Sequence, residues 1–330
     1  MISRRNLLAA IAYVLAGWPL ALRAQQPRRV WRVGILAAAS LTDPTTRANY
    51  TAFTDRLREL GYVEGSTLAL EWRFAEGRFD RLPVLAGELV KSKVDVMVTS
   101  GTPATSAARR ATATIPIVAA SFGDPVASGF AQSLARPGGN VTGFSTMGSH
   151  VYEKRLELLI EAVPGAKRIG VVVNPDNNFF LRILPGLQAA AEKRGRDLVL
   201  ANARNAREVQ EGFAMFATRR AGGVIVGDDA FINTQGGAIA GLALRHKLLT
   251  IFPTLRGVED GGLIAYVSDL RYRYRRAADY VDRILKGARA GELPIEQPAK
   301  FEFVVNRKTA ATLGIAIPQS LLVRANRVIE

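Results

Sequence analysis

Small, polar and aromatic side chains recur directly after the apolar runs that predict β-strands. These candidate binding residues are Ser40, Gly101, Thr102, Phe122 and Asp124 in the first half of the chain and Asn174, Asp228 and Tyr266 in the second. A helix that begins at such a position presents free N–H groups and the positive end of its dipole, which suit a carboxylate or another anion. Asp124, Asp228 and Asp229 would offset a ligand ammonium group. The pattern predicts a small-molecule binding site, although Asp124 and its counterparts would also serve as helix caps alone.

Motifs for catalysis are absent from the sequence. The chain has no cysteine and two histidines, which excludes a catalytic thiol, a thiolate metal site and a disulfide. It contains no paired-histidine metal motif, no nucleophile elbow of the G-x-S-x-G type and no phosphate-binding loop. The run from Gly34 to Pro44 carries no glycine-rich dinucleotide fingerprint. We therefore expect no enzyme activity, no metal and no cofactor.

The N-terminus has the pattern of an export signal. Arg4 and Arg5 precede the apolar run Leu7–Leu22, and small residues follow near Ala24. This order of charge, apolar core and small residues predicts a signal peptide over residues 1–24. The run Ser3–Leu8 also resembles a twin-arginine signal, so both the Sec and the Tat export routes stay open. Without a cysteine for lipid attachment, the mature chain is expected to be free in the periplasm.

The formal charge of +15 raises the question of a nucleic-acid partner. The basic residues are scattered along the chain, and export argues against nucleic acid. Even the dense run Arg271–Arg276 lies in a predicted amphipathic helix, where Arg271, Arg273, Arg275 and Arg276 are expected mostly on the solvent side. We interpret the charge as solvated surface that would favour capture of anionic ligands.

Strand and helix patterns alternate along the whole chain, and the strands are continuously apolar, which indicates parallel sheets covered on both faces. A helix is also predicted from Asp124 to about Arg136, ended by Pro137-Gly138-Gly139. Beyond residue 150 the order restarts, and Arg168–Val172 echoes Arg32–Leu36. A chain of 330 residues exceeds one compact core. The sequence predicts two Rossmann-like lobes whose strand ends face one cleft.

Several strings resemble the ABC transporter substrate-binding family that is related to tryptophan and aromatic amino-acid uptake proteins. They are Gly101–Ala104, Gly123–Val126, Leu134–Gly143, Lys154–Leu159, Arg275–Ala278, Leu285–Ala288 and Glu296–Glu302. The resemblance covers essentially the whole mature chain. It implies an α/β fold of the type I periplasmic-binding class, with two Rossmann-like lobes of parallel sheets joined by a three-crossing hinge. It also implies that the Thr102 and Asp124 loops hold the ligand's polar head, with Asn174, Asp228 and Tyr266 in the second lobe's cleft.

The resemblance implies a periplasmic receptor that delivers a small amphipathic solute to an ABC permease in the inner membrane. An amino acid, an aromatic acid or a related carboxylate is the expected solute, and the receptor is expected to be a monomer. Lobe 1 is predicted to comprise residues 28–147 plus about 268–297, and lobe 2 residues 148–267 plus about 298–330. The first hinge crossing is expected near Ser145–Val151. The alternative is a periplasmic ligand-sensing protein that passes a bound-state signal to a membrane partner.

Overall fold

The structure, a computed structural model, describes residues 29–330, so the predicted signal peptide lies outside the described residues. The first half of the chain forms one sheet with its helices. Its strands are β1 (Trp31–Ala37), β2 (Leu68–Phe74), β3 (Val96–Ser100), β4 (Ile117–Phe122) and β5 (Val141–Ser145), and its helices are α1 (Pro44–Glu59), α2 (Leu82–Lys91) and α3 (Thr102–Ala111). The strands pair in the order β2-β1-β3-β4-β5, and every pair is parallel.

The second half forms a larger sheet. Its strands are β6 (Arg168–Val173), β7 (Asp197–Asn202), β8 (Gly223–Val226), β9 (Leu249–Phe252), β10 (Ile264–Ser268), β11 (Phe301–Asn306) and β12 (Arg327–Ile329). The helices of this half are α4 (Gly148–Ala162), α5 (Asn178–Glu192), α6 (Ala206–Thr218), α7 (Ala230–Thr234), α8 (Gly236–Arg245), α9 (Leu255–Glu259), α10 (Leu270–Leu285), α11 (Arg307–Leu313) and α12 (Gln319–Arg324). The strand order is β12-β11-β10-β9-β8-β6-β7, and β10 with β11 is the antiparallel pair.

The chain passes between the two sheets three times within the described residues. It leaves the first sheet between Ser145 and Gly148, returns between Ser268 and Leu270, and leaves again between Glu296 and Phe301. After the second passage α10 packs along α1 and against β4 of the first sheet. Two α/β units with predominantly parallel sheets and a hinge of three crossings confirm the predicted fold class.

Each sheet carries buried apolar side chains on both faces. In the first unit, one core lies between the sheet, α1 and α10, and the other lies between the sheet, α2 and α3. The second unit has the same two-sided arrangement. Continuously apolar strands form such double-covered parallel sheets because both of their faces are buried. No helix within residues 29–330 is both long enough and apolar enough to cross a membrane.

Of three helices that begin beside the space between the units, two start at side-chain caps and one starts at a glycine. Asp43 accepts a hydrogen bond from the backbone N–H of Thr46 at 2.7 Å and starts α1. Asn177 does the same for Phe179 at 3.2 Å at the start of α5. At α3 the cap is Gly101, whose φ of +89° lies in the left-handed region that favours glycine. The strand-end residues of the sequence therefore fix where these helices start.

The helix predicted from Asp124 to about Arg136 does not exist. Residues 123–140 form turns, in which the backbone N–H of Phe130 bonds the carbonyl of Pro125 at 2.8 Å. Gly129 has a φ of +69°, which interrupts any helix at that point. Asp124 caps a turn instead, because its Oδ1 accepts the N–H groups of Val126 and Ala127, each at 3.1 Å. The prediction was wrong because cap and proline signals start turns as readily as helices.

Candidate functional site

A cavity of about 180 Å³ lies between the two units, at the carboxyl ends of strands from both sheets. The wall from the first unit includes Gly101, Thr102, Phe122 and Gly123. Thr102 is buried, and its Oγ1 accepts the N–H of Gly123 at 2.9 Å, which ties the loops after β3 and β4 together. Strand ends that meet in this way are the usual ligand site of an open α/β sheet.

The wall from the second unit comes from α4, the start of α5 and the loop after β8. It includes Tyr152, Arg155, Asn177, Phe179 and Asp228. The Tyr152 hydroxyl accepts the backbone N–H of Asp228 at 2.6 Å, so α4 positions the β8 loop directly. Burial raises the pKa of Tyr152, and its hydroxyl therefore stays protonated as a neutral polar group.

Two buried arginines line the cavity, and each has nitrogens without a hydrogen-bond partner in the protein. Arg155 on α4 is 3% exposed and Arg273 on α10 is 5% exposed. Arg155 donates from Nε and Nη2 to the carbonyl of Tyr266 at 3.2 and 3.0 Å, which leaves Nη1 unpartnered. Arg273 donates from Nη2 to Ser268 Oγ at 2.9 Å, which leaves Nε and Nη1 unpartnered. Buried donors of this kind are costly unless a ligand satisfies them.

Burial also shifts the titration of Arg273. Desolvation lowers its pKa to about 10, with the nearby charge of Asp228 acting in the opposite direction. The guanidinium is still cationic at neutral pH. The position of Arg273 corrects the sequence interpretation, which put it with Arg271, Arg275 and Arg276 mostly on the solvent side. Helix α10 packs against the first sheet and also lines the cavity. More of its surface is therefore buried than its single apolar stripe indicates.

Two neighbouring aspartates after β8 have different surroundings. Asp228 is exposed to the cavity side, and its Oδ1 accepts a hydrogen bond from Asn233 Nδ2 at 3.1 Å. Asp229 is 2% exposed. It accepts Nδ2 of Asn174 at 3.2 Å and Nδ2 of Asn177 at 3.0 Å, together with two backbone N–H groups that begin α7. Desolvation raises the pKa of Asp229 despite these four donors. Asp228 is therefore available to a ligand, whereas Asp229 holds the loop in place.

Aromatic rings complete the walls of the cavity. They are Phe79, Phe122, Tyr152, Phe179, Tyr274 and Phe301. Tyr274 donates its hydroxyl to Ser100 Oγ at 2.6 Å, which joins α10 to the end of β3. Within residues 29–330 no group of three or more histidine, aspartate or glutamate side chains could hold a metal ion. The cavity thus combines apolar rings, buried cations and the exposed carboxylate of Asp228.

Four of the eight sequence-predicted residues line the cavity, namely Gly101, Thr102, Phe122 and Asp228. The other four lie just behind it. Ser40 bonds Thr42 Oγ1 at 2.9 Å, and Asp124 caps its turn. Asn174 supports Asp229, and Tyr266 offers its carbonyl to Arg155 while its ring stacks on Phe301 at 5.0 Å. Asn174 and Tyr266 therefore support lining residues, whereas the side chains of Ser40 and Asp124 bond within their own loops.

The two arginines are the main residues that sequence reasoning missed. Arg155 stands in the Lys154–Leu159 string, where the helical spacing places its Cβ on the same face as Tyr152 and Leu159. That placement on an apolar face was the available signal, since a charge there is costly without a partner. Arg273 gave no comparable signal, because its neighbours Tyr272 and Tyr274 are themselves amphipathic.

The chain forms two α/β units on a three-crossing hinge, and the cavity between them is lined by polar, charged and aromatic side chains. These features define a ligand-binding protein of the type I periplasmic-binding fold. Residues 33–329 match the model of the ABC transporter substrate binding protein family. The chain belongs to this family, whose members are solute-binding proteins rather than enzymes.

The proteins that are similar to this chain include the following three. A tyrosine-binding protein of Clostridioides difficile (strain R20291) is 26% identical over 263 residues, which cover 80% of this chain and 75% of that protein. The ABC domain from Streptococcus pneumonia in complex with L-Trp is 25% identical, covers 91% of this chain and 100% of its own, and has a TM-score of 0.82. A substrate-binding protein with adhesive properties from Clostridium difficile, in its ligand-free, open form, is also 25% identical. It covers 91% of this chain and 99% of its own, with a TM-score of 0.64.

Proposed function

We propose that this protein captures an aromatic amino acid, or a related aromatic carboxylate, between its lobes and delivers it to an ABC importer. The observation that carries the proposal is the pair of cavity-lining arginines, Arg155 and Arg273, whose unpartnered nitrogens are buried. A carboxylate would satisfy these donors through charge-assisted hydrogen bonds of about 1.5–3 kcal/mol each. One similar protein is named a tyrosine-binding protein, and another was solved in complex with L-Trp. Both support the same class of ligand.

The rest of the cavity fits the other parts of such a ligand. Asp228 supplies a negative charge that would pair with an α-ammonium group, and the six rings would contact an aromatic side chain. The volume of about 180 Å³ sets a size limit, since a cavity of about 150 Å³ is enough for one benzene molecule. A single amino acid fits this limit better than a peptide or an oligosaccharide.

A panel of head-group analogues tests the proposal by titration calorimetry. L-tyrosine, L-tryptophan and L-phenylalanine are expected to bind, with a micromolar complex corresponding to about −8 kcal/mol. Tyramine lacks the carboxylate and is expected to bind at least ~30-fold more weakly than L-tyrosine, because both arginines then stay unpaired. Equal affinity for L-tyrosine and tyramine, or binding of none of the aromatic amino acids, would contradict the proposal.

Asp228→Asn is expected to weaken L-tyrosine binding roughly 5- to 30-fold, or about 1–2 kcal/mol for a partly solvated ion pair. The change is isosteric and keeps the oxygen that Asn233 contacts, so the melting temperature is expected to stay constant. The measurement is a titration with L-tyrosine and with 3-(4-hydroxyphenyl)propionate, which lacks the ammonium group. Only L-tyrosine should lose affinity. Asp197→Asn, a change at the exposed start of β7, serves as the matched control.

Delivery and location belong to the same proposal. We place the mature protein in the periplasm as a monomer, docking on an inner-membrane permease after lobe closure. The division into residues 28–147 with about 268–297, and 148–267 with about 298–330, is part of this scheme. Uptake of labelled L-tyrosine should fall in cells that lack the chain and return when it is restored. Intact binding with unchanged uptake would favour the ligand-sensing alternative.

A further inference from the structure

Residues at the start of α5, in the second lobe, contact the first lobe directly. Phe179 is 7% exposed and packs in the second lobe, with its ring centroid 5.5 Å from that of Phe180 and 6.0 Å from that of Tyr152. The other side of its ring lies against Gly123, at the end of β4 in the first sheet. One turn further on, Arg182 donates from Nη1 to the carbonyl of Ala127 of the first lobe.

The contact between Phe179 and Gly123 leaves no room for a side chain at residue 123. A Cβ atom built on Gly123 would lie 2.4 Å from Cδ2 and 2.7 Å from Cε2 of Phe179, closer than real Cβ contacts come. The φ of Gly123 is not in the positive region, so its backbone does not require glycine. The close approach of the second lobe is therefore the structural reason for a glycine here.

Neither partner can easily move away. The N–H of Gly123 donates to Thr102 Oγ1 at 2.9 Å, and its carbonyl accepts Ser145 Oγ at 3.1 Å. Phe179 is held by its two aromatic neighbours and by Gly148, where a Cβ atom would lie 2.4 Å from its Cε2. A methyl group at residue 123 would clash with the ring of Phe179 across the cleft, and this clash disappears once the lobes part. The approach of 3.1 Å to Thr102 Oγ1, which belongs to the first lobe, remains in both arrangements.

We propose that the bare Cα of Gly123 and the ring of Phe179 form the contact that sets the closing equilibrium and, through it, ligand affinity. The inference rests on the proposed function, since closure matters for affinity only if the cleft binds a solute. Apparent affinity scales with the fraction of molecules that can reach the closed state. Gly123→Ala would lower that fraction while Arg155, Arg273 and Asp228 stay unchanged, and its Cβ would also lie 3.1 Å from Thr102 Oγ1.

The first test is calorimetry on Gly123→Ala with L-tyrosine and L-tryptophan. We expect affinity roughly 5- to 150-fold weaker than wild type, the fold-change that corresponds to an overpacking cost of about 1–3 kcal/mol. Gly139→Ala is the matched control, because no atom lies within 4 Å of a Cβ built there and its φ is not positive. Equal affinity of the two variants would overturn the inference.

A rescue separates closure from direct ligand contact, because Phe179 also lines the cavity. In the double variant Gly123→Ala with Phe179→Ala, the clashing δ and ε carbons are gone, so affinity is expected to exceed that of Gly123→Ala alone. If Phe179 acted only by touching ligand, the double variant would bind more weakly than either single variant. That second result would refute the closing role.

A ligand-independent readout distinguishes failure of this inference from failure of the proposed function. The chain has no cysteine, so Ala127→Cys with Arg182→Cys introduces two thiols across the closed cleft. A short bis-maleimide should cross-link them, and Gly123→Ala should slow the ligand-free reaction by at least ~5-fold. An unchanged rate would overturn the inference even if aromatic amino acids bind, and a slowed rate would support it even if none of them binds.

Discussion

Replacing Arg273 with methionine is expected to weaken L-tyrosine binding roughly 30- to 5000-fold, while the ligand-free protein keeps or gains stability. Loss of one member of a buried, hydrogen-bonded charge pair costs about 2–5 kcal/mol of binding free energy. In the empty protein the same guanidinium is almost fully buried, and Nη2 is its one partnered nitrogen. An apolar side chain of similar length removes that unpaired charge, which is often neutral or stabilising.

The opposite signs of the two effects make the test specific. Affinity is measured by calorimetry, and the free energy of unfolding by urea titration without ligand. Arg271→Met, on the exposed side of the same helix, is the control and should change neither quantity. Tyramine binding should be unaffected by Arg273→Met or improve, since no carboxylate is lost. A large loss of stability, or unchanged L-tyrosine affinity, would show that Arg273 supports the hinge instead of the ligand.

Asp229→Ala is expected to lower the free energy of unfolding by about 3–5 kcal/mol at pH 7. The change leaves the buried amides of Asn174 and Asn177 and the two N–H groups at the start of α7 without their acceptor. Each unsatisfied buried group costs about 1–3 kcal/mol, and the costs are not fully additive. Urea denaturation measures the effect. Asp228→Ala is the control with a single side-chain bond, and a similar loss there would contradict the assignment.

The difference in unfolding free energy between the wild type and Asp229→Ala is expected to depend on pH. Burial raises the pKa of Asp229 above its ordinary value of 3.8, so the folded state binds its proton more tightly than the unfolded state does. The contribution of Asp229 to stability is therefore fully present below pH 3.8 and declines as the pH rises through the raised value. The difference in unfolding free energy between wild type and Asp229→Ala should grow as the pH falls from 7. A difference that shrinks on acidification would indicate a lowered pKa instead.

Helix periodicity and strand-end chemistry predict much of this fold from the sequence. The amphipathic helix predicted around Arg271–Arg276 is α10, because its apolar spacing is regular, and in the structure Asp269 caps it. Strand β11 joins the second sheet by an antiparallel pairing that no local pattern specifies. Local signals identify elements, whereas pairing partners depend on the whole chain.

The candidate site was only partly predictable for a related reason. The loop after β3 could be placed at the cleft from Gly101 and Thr102 alone, because strand ends and helix starts are local features. Arg155 gave a signal only through its place on an apolar helix face, since its partner, the carbonyl of Tyr266, is distant in sequence. Arg273 could not be distinguished from a solvated arginine, because its burial arises from the packing of α10 beside the cavity and not from a local pattern. Asp124 was predicted to start a helix but caps a turn, because the same hydrogen-bonding pattern starts either one.

The two arginines come from different lobes, since α4 packs in the second and α10 in the first. Closing the empty cleft would bring two poorly solvated positive charges to one small volume. Phenol and indole could fill the ring space but carry no counter-charge for the two cations. The closed form would then be stable around an aromatic anion or zwitterion and unstable around a neutral ring of the same size. The cleft would thus screen solutes by charge before it screens them by shape.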